Sequence, residues 1–133
     1  MIVTREYGLS DEAVDALEPA LARSNINWAD IAEIMCGYGW AVWNCGNLCW
    51  VFTMINRDDE IEVLLAGGKR ARECVQPWVD AMLSEPAHRG LTLRVDGRKG
   101  WARPLGAWER RDDVLYLKVQ DVGEEEIHHH ANQ

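Results

Sequence analysis

Four cysteines are the residues of this sequence with the most obvious chemistry. Two of them, Cys45 and Cys49, lie in "WNCGNLCW" (residues 43–50), where tryptophans bracket the pair. This segment fits a metal knuckle, a redox pair or the turn of a buried hairpin. Successive cysteines are nine, four and twenty-five positions apart, so no pair has the C-x2-C spacing of common zinc ribbons. The candidate histidines at 128–130 lie in a polar tail. The spacing therefore favours four small buried side chains over a zinc site.

Redox or nucleophilic chemistry at this segment is also not expected. A reactive thiolate needs a helix N-terminus or a nearby cation to lower its pKa. A β-turn at Gly46-Asn47 with no base within five residues supplies neither. We therefore predict a hairpin turn here, with reduced thiols beside it. Trp43 and Trp50 would lie on adjoining strands and share one packing layer if the register allows it.

A second candidate for chemistry is a local anion site. Residues 69–111 hold ten of the fourteen Lys and Arg and carry a net charge of +5, while the rest of the chain carries -13. Solvated helix faces would give the same imbalance, so both interpretations stay open. The overall charge of -8 disfavours nucleic-acid binding by the whole surface.

The elements that must position these residues follow from periodicity and turn signals. The chain has 133 residues, which predicts one domain over 1–119 with an acidic tail at 120–133. No apolar run reaches the ~20 residues of a membrane span, and no secretion signal is evident, so we expect no membrane partner. The predicted elements are, in order, strand 1–6, helix 11–22, a second helix within 24–39, strands 40–43, 48–55 and 60–66, a helix within 69–86, strand 90–97, a short helix or irregular segment at 98–108 and a hairpin 109–119.

Local signals support the helices in this α/β order. Ser10 is a suitable N-cap for the first helix, and Asn27 with Asp30 forms a potential capping box for the second. Pro19 is expected to kink or shorten the first helix, and Pro77 to kink the third or to start it near Gln76. A helix between two strands in the second half favours parallel neighbours there.

The order β-α-α-β-β-β-α-β-α-β-β resembles that of the GNAT acyltransferase fold, a single mixed sheet flanked by helices. The late segment "GRKGWARPL" (97–105), followed by Trp108, resembles a motif of small GNAT-like proteins of tailed phages. The segment "NCGNLCWVFT" (44–53) is similar to the central hairpin of internal-virion-type proteins of short-tailed phages. The resemblance covers roughly residues 1–119. It implies a phage protein acting in the host cytoplasm or in the virion.

The resemblance also implies a place for acetyl-CoA. In the fold, a glycine-rich loop after the fourth strand opens a helix, and its N–H groups hold the pyrophosphate. Here "LLAGGKRA" (64–71) occupies that place, but the leading Gln or Arg of the family motif is absent and the glycine spacing differs. Any tight turn would use the same glycines. The implied cofactor-binding residues are Leu65, Ala66, Gly67, Gly68, Lys69, Arg70 and Ala71.

Catalytic residues are implied only weakly. The fold often takes a general base from the fourth strand, where Glu60 and Glu62 share one face with Val63 and Leu65 opposite, although that face could simply be solvent. Its tyrosine acid after the fifth strand has no counterpart, which leaves Tyr116 on the last strand.

Three functions fit these features. The first is a catalytically degenerate structural or accessory protein that binds a phage or host protein, since tryptophan and arginine are favoured contact residues. The second is an acetyl-CoA-dependent N-acyltransferase, which can work by proximity without an acid. The third is an inhibitor of a host defence complex. The sequence makes no cofactor certain and leaves acetyl-CoA as the candidate, and we expect no sequence-specific nucleic acid.

Overall fold

One mixed β-sheet organises the chain. The computed structural model describes residues 1–96, 109–111 and 114–118. In the described chain seven strands form the sheet in the order β1-β2-β3-β4-β5-β7-β6, with β4 and β5 parallel and every other pair antiparallel. The elements are β1 Val3–Glu6, α1 Asp11–Ala22, α2 Trp28–Gly37, β2 Gly39–Cys45, β3 Cys49–Ile55, β4 Glu60–Gly68, α3 Ala71–Ser84, β5 Thr92–Asp96, β6 Glu109–Arg111 and β7 Val114–Lys118.

The α/β class is therefore confirmed, together with the parallel pair across the α3 crossover and the C-terminal hairpin. A 3₁₀ turn at Pro86–His88 was not predicted. The predicted short helix 98–108, the late motif 97–105 and the tail 120–133 lie outside the described residues. None of the described helices is long and apolar enough to span a bilayer.

The predicted starts of the first two helices are confirmed. The Ser10 hydroxyl accepts from the N–H of Ala13, and Asn27 and Asp30 form a reciprocal capping box. Both prolines lie inside helices, because α1 continues three residues past Pro19 and α3 begins at Ala71, six residues before Pro77. The expectations of an early end at Pro19 and a start near Gln76 were wrong.

The two faces of the sheet carry two separate cores. Helices α1 and α2 cover one face, where they pack on Val42, Trp50, Phe52 and Leu65. Helix α3 covers the other face through a stripe predicted from the sequence, which consists of Val75, Trp78, Val79 and Met82.

The β2–β3 hairpin corrects one prediction about its tryptophans. Gly46 and Asn47 form the turn with φ angles of 61° and 57°, and Cys45 and Cys49 are register partners. Trp43, however, pairs with Val51 and faces α3, whereas Trp50 faces α1 and α2. Trp50 is adjacent to Val51 on β3, and successive residues of a strand point to opposite faces. The two tryptophans therefore lie on opposite faces of the sheet.

A β-bulge interrupts β4 between its two predicted functional regions. Thr53 pairs with Val63 while Phe52 pairs with Leu65, so Leu64 is an extra residue. Val63 consequently faces α3, but Leu65 faces α1 on the same side as Glu62. The prediction that Val63 and Leu65 share a face was wrong for this reason.

Candidate functional site

The segment 65–71, predicted to bind a cofactor, joins β4 to α3 as expected, but its glycines do not form an open loop. Gly67 and Gly68 are the last residues of β4 and pair with Trp50 and Cys49. The predicted turn begins only at Lys69, because β4 continues to Gly68.

Both glycines are explained by close approach of the protein's own backbone. A Cβ at Gly67 would lie 3.0 Å from the carbonyl carbon of Ala16 in α1 and closer still to its oxygen. A Cβ at Gly68 would lie 2.6 Å from the Cα of Cys49, and Gly68 also has a φ of 130°, which disfavours other residues.

The backbone after the glycines is also engaged. The Lys69 N–H donates to the Leu48 carbonyl at 2.7 Å, which ties the loop to the β2–β3 turn. Arg70 then adopts a left-handed conformation with φ 54° and starts α3 without a side-chain cap. Lys69, Arg70 and Arg72 are exposed there, and the Arg70–Glu73 ion pair at 3.9 Å is too exposed to matter for stability.

Beneath this segment the protein is nearly filled. A cavity of about 10 Å³ lies between the end of β4 and α3, lined by residues such as Ala66, Gly67, Ala71 and Trp78. That volume holds about one water molecule, whereas a pocket for a drug-sized ligand needs roughly 300 Å³ or more.

The predicted base residues lie at the other end of β4, beside an arginine. Glu60 and Glu62 flank Arg94 of the neighbouring strand β5, with N···O distances of 3.3 Å and 3.8 Å. Their side chains are 17% and 19% exposed, so these contacts are largely shielded from water. The Glu60 carboxylate also accepts from the Asn56 side-chain amide at 2.9 Å.

Asn56 holds this group in place from the β3–β4 turn. Its side-chain oxygen accepts from the N–H groups of Asp58 and Glu60, at 2.9 Å and 3.0 Å. Sequence reasoning missed Asn56 and Arg94. An Asn before an Arg-Asp-Asp turn and a lone arginine in "TLRVD" were the available signals, but neither shows which strand is its neighbour.

Tyr116, the predicted acid, is placed by the backbone register alone. Glu62 pairs with Arg94 on β5, and Arg94 pairs with Tyr116 on β7. The structure thus aligns two of the three predicted catalytic positions across adjacent strands, with Arg94 between them.

The cysteines form a buried thiol cluster with one outlier. Cys45, Cys49 and Cys74 are buried, and Cys36 is exposed; all four are free thiols. A hydrogen bond with the Cys45 thiol, followed by burial, raises the pKa of Cys49, while burial raises the pKa of Cys74 to about 12. The thiols of Cys49 and Cys74 are therefore protonated and unreactive at neutral pH. No group of three or more possible ligands suited to a metal ion occurs within the described ranges, and residues 128–130 lie outside them.

Comparisons with family models, with curated proteins and with solved structures gave no match to this chain. The functional conclusion therefore depends on the geometry of the chain itself.

Proposed function

We propose that this chain is a GNAT-like protein without acyltransferase activity that functions by binding another protein. The element order from β1 to β5 supports the likeness, since α3 connects two parallel strands after a glycine-containing segment. The observation that carries the proposal is that the protein's own backbone already occupies the contacts of this glycine-containing segment. Its glycines accommodate the backbone of Ala16 and Cys49, and the Lys69 N–H is already bound to Leu48.

A pyrophosphate would need N–H groups that point into open space and a gap that the coenzyme can enter. In this protein the glycines serve α1 and the β2–β3 turn, and the space behind them is about 10 Å³. Binding coenzyme A in the expected manner would require α1 or α3 to move away from the sheet. Such a movement would expose the apolar side chains that hold these helices.

The carboxylates support the same conclusion. A general base must reach the acceptor's proton directly or through one water. Glu60 instead holds Asn56 and Arg94, and Glu62 lies beside the same guanidinium. This arrangement is that of an ion-pair group that joins β4 to β5.

The proposal is tested by titrating acetyl-CoA into the purified protein in a calorimeter. We expect no binding at millimolar ligand. A dissociation constant in the micromolar range would overturn the proposal, provided that Lys69→Glu or Arg70→Glu weakens it. Both side chains are exposed, so these variants should fold normally, as circular dichroism would verify.

The alternative, an acetyl-CoA-dependent N-acyltransferase, is favoured by one feature. The first turn of α3 has no side-chain cap and is surrounded by exposed Lys69, Arg70 and Arg72, which suits an anion. Release of free coenzyme A thiol in the presence of amine acceptors would establish this activity. Loss of that release in Glu62→Gln, with the fold retained, would assign the base.

The resemblance to phage proteins extends the proposal to a role in the virion or in the infected host's cytoplasm. Mass spectrometry of purified particles, compared with lysate of infected cells, would distinguish these two places.

A further inference from the structure

Strand β1 is an edge of the sheet, with β2 as its neighbour among the described strands. The Ile2 carbonyl accepts from the Gly46 N–H on the β2 side. Since backbone groups alternate along an antiparallel strand, Thr4 and Glu6 also face β2, whereas the N–H and C=O groups of Val3 and Arg5 face outward. These outward groups form a template onto which another strand can pair.

This edge also carries the exposed large apolar side chains of the described chain. Met1, Ile2 and Tyr7 are 55%, 77% and 88% exposed. They lie at the two ends of β1, so a strand that paired with it would also cover them. We call β1 together with these three residues the β1 edge.

A groove continues from the β1 edge at Tyr7. It has a volume of about 260 Å³ and is lined by Arg5, Glu6, Tyr7, Tyr38, Gly39 and Trp40. Tyr7, Tyr38 and Trp40 contribute aromatic side chains to its lining.

Arg5 is the basic residue among those that line the groove. The Arg5 guanidinium lies 5.6 Å from the centre of the Tyr7 ring, and that of Arg57 lies 5.9 Å from the Tyr38 ring. Glu6 also lines the groove, and its carboxylate accepts from the indole N–H of Trp50. A carboxylate on an extended partner would therefore meet the Arg5 guanidinium, whereas Arg57 is not one of the residues that line the groove.

We propose that the β1 edge binds an extended, acidic segment of a partner protein, which pairs with β1 as an additional antiparallel or parallel strand. The outward groups of Val3 and Arg5 supply the backbone pairing, and the groove receives an acidic side chain beside an apolar one. This inference rests on the proposed function and names the surface and the chemistry of the partner.

A second copy of the chain fits this edge less well. Two-fold pairing centred on Arg5 would place Arg5 opposite itself, and like charges directly opposite are destabilising. Pairing centred on Thr4 would place Ile2 opposite Glu6 and would use only five residues. A contact that short buries much less than the roughly 800 Å² per partner of a stable interface.

The test uses capped eight-residue peptides in which valine alternates with glutamate, titrated into isotope-labelled protein and followed by amide NMR. We expect shifts confined to residues 1–8 and 38–40, slower hydrogen exchange at Val3 and Arg5, and a dissociation constant of about 1 mM or tighter. A peptide with lysine in place of glutamate should bind at least tenfold more weakly. Methylation of alternate peptide nitrogens should abolish binding.

Two variants examine the mechanism. Arg5→Pro removes an outward N–H that β2 does not use, so the fold should persist while peptide binding is lost. Arg23→Glu, an exposed charge change at the end of α1, should bind as the wild type does. Absence of shifts at the β1 edge, equal binding of the lysine peptide, or dimerisation through the same amides would overturn this inference.

Acetyl-CoA binding separates the two proposals. If neither the coenzyme nor the peptide binds, the β1 edge proposal is wrong and the non-catalytic proposal stands. If both bind, the non-catalytic proposal is wrong and the β1 edge remains a peptide site.

Discussion

Gly67 lies where β4 passes beneath helix α1, and replacing it with alanine is the sharpest test of what the glycine pair does. The added methyl would lie 3.0 Å from the carbonyl carbon of Ala16, closer to its oxygen, and 3.5 Å from the Cα of Leu17. All three atoms are backbone, so no side chain can turn aside. Helix α1 must therefore move outward by about 1 Å, since an unstrained methyl contact needs that extra room.

This displacement determines how much free energy of unfolding the substitution removes. Helix α1 rests on the sheet through Leu17 and Leu21, each worth about 2 kcal/mol of burial, and a gap of this size removes a quarter to a half of their contacts. That loss is about 1–2 kcal/mol, and overpacking strain adds a further 1–3 kcal/mol. We expect Gly67→Ala to lower the free energy of unfolding by about 3 kcal/mol, which corresponds to roughly 10 °C in Tm for a chain of this size.

The assay is urea unfolding followed by tryptophan fluorescence. Gly37→Ala is the matched control, because a Cβ there meets nothing within 4 Å and the position ends a helix. We expect that control to be neutral or stabilising by up to about 1 kcal/mol. If Gly67→Ala stays within about 0.5 kcal/mol of the wild type, the packing explanation is refuted, and a role in admitting a ligand becomes the better explanation of the glycine.

Two further predictions concern the ion-pair group and the buried thiols. Arg94→Met should lower the free energy of unfolding by about 2 kcal/mol, because Glu60 and Glu62 lose their shared arginine while mostly shielded from water. Replacing both glutamates with Gln in the same variant should recover more than half of that loss. An unchanged urea midpoint in Arg94→Met would contradict the ion-pair role. The raised pKa values of Cys49 and Cys74 mean that the unfolded thiols ionise first, so stability is full below about pH 8.5 and falls as the pH rises above it, by about 1.4 kcal/mol per pH unit for each thiol. Urea midpoints from pH 7 to 10 in reductant should show this decline in the wild type and a shallower one when both cysteines are alanine; equal slopes would refute it.

Local features of the fold could be predicted from the sequence. The caps at Ser10 and Asn27 depend on residues within one helical turn, and the Gly46-Asn47 turn depends on two adjacent residues. The parallel pairing of β4 and β5 follows from the intervening helix. Each of these signals is read without knowing what packs against the segment.

The candidate site could be predicted only in part, because it depends on neighbours that are distant in the sequence. Arg94 lies between Glu60 and Glu62 only through the register of β5 with β4, more than thirty residues away. Pro19 and Pro77 do not set the helix boundaries, since α1 and α3 both continue through them.

The bulge at Leu64 determines which face of the sheet Gly67 lies on. In a regular strand, Gly67 would face α3 together with Val63 and Leu65. The extra residue instead turns Leu65 and Gly67 towards α1, and Ala66 towards the α3 core. A residue at position 67 must then tolerate the Ala16 carbonyl, and only glycine does so. A Gly-Gly pair before a helix can serve either an anion or a close backbone contact. Here the register of one strand favours the contact, and we propose that binding occurs instead at the β1 edge.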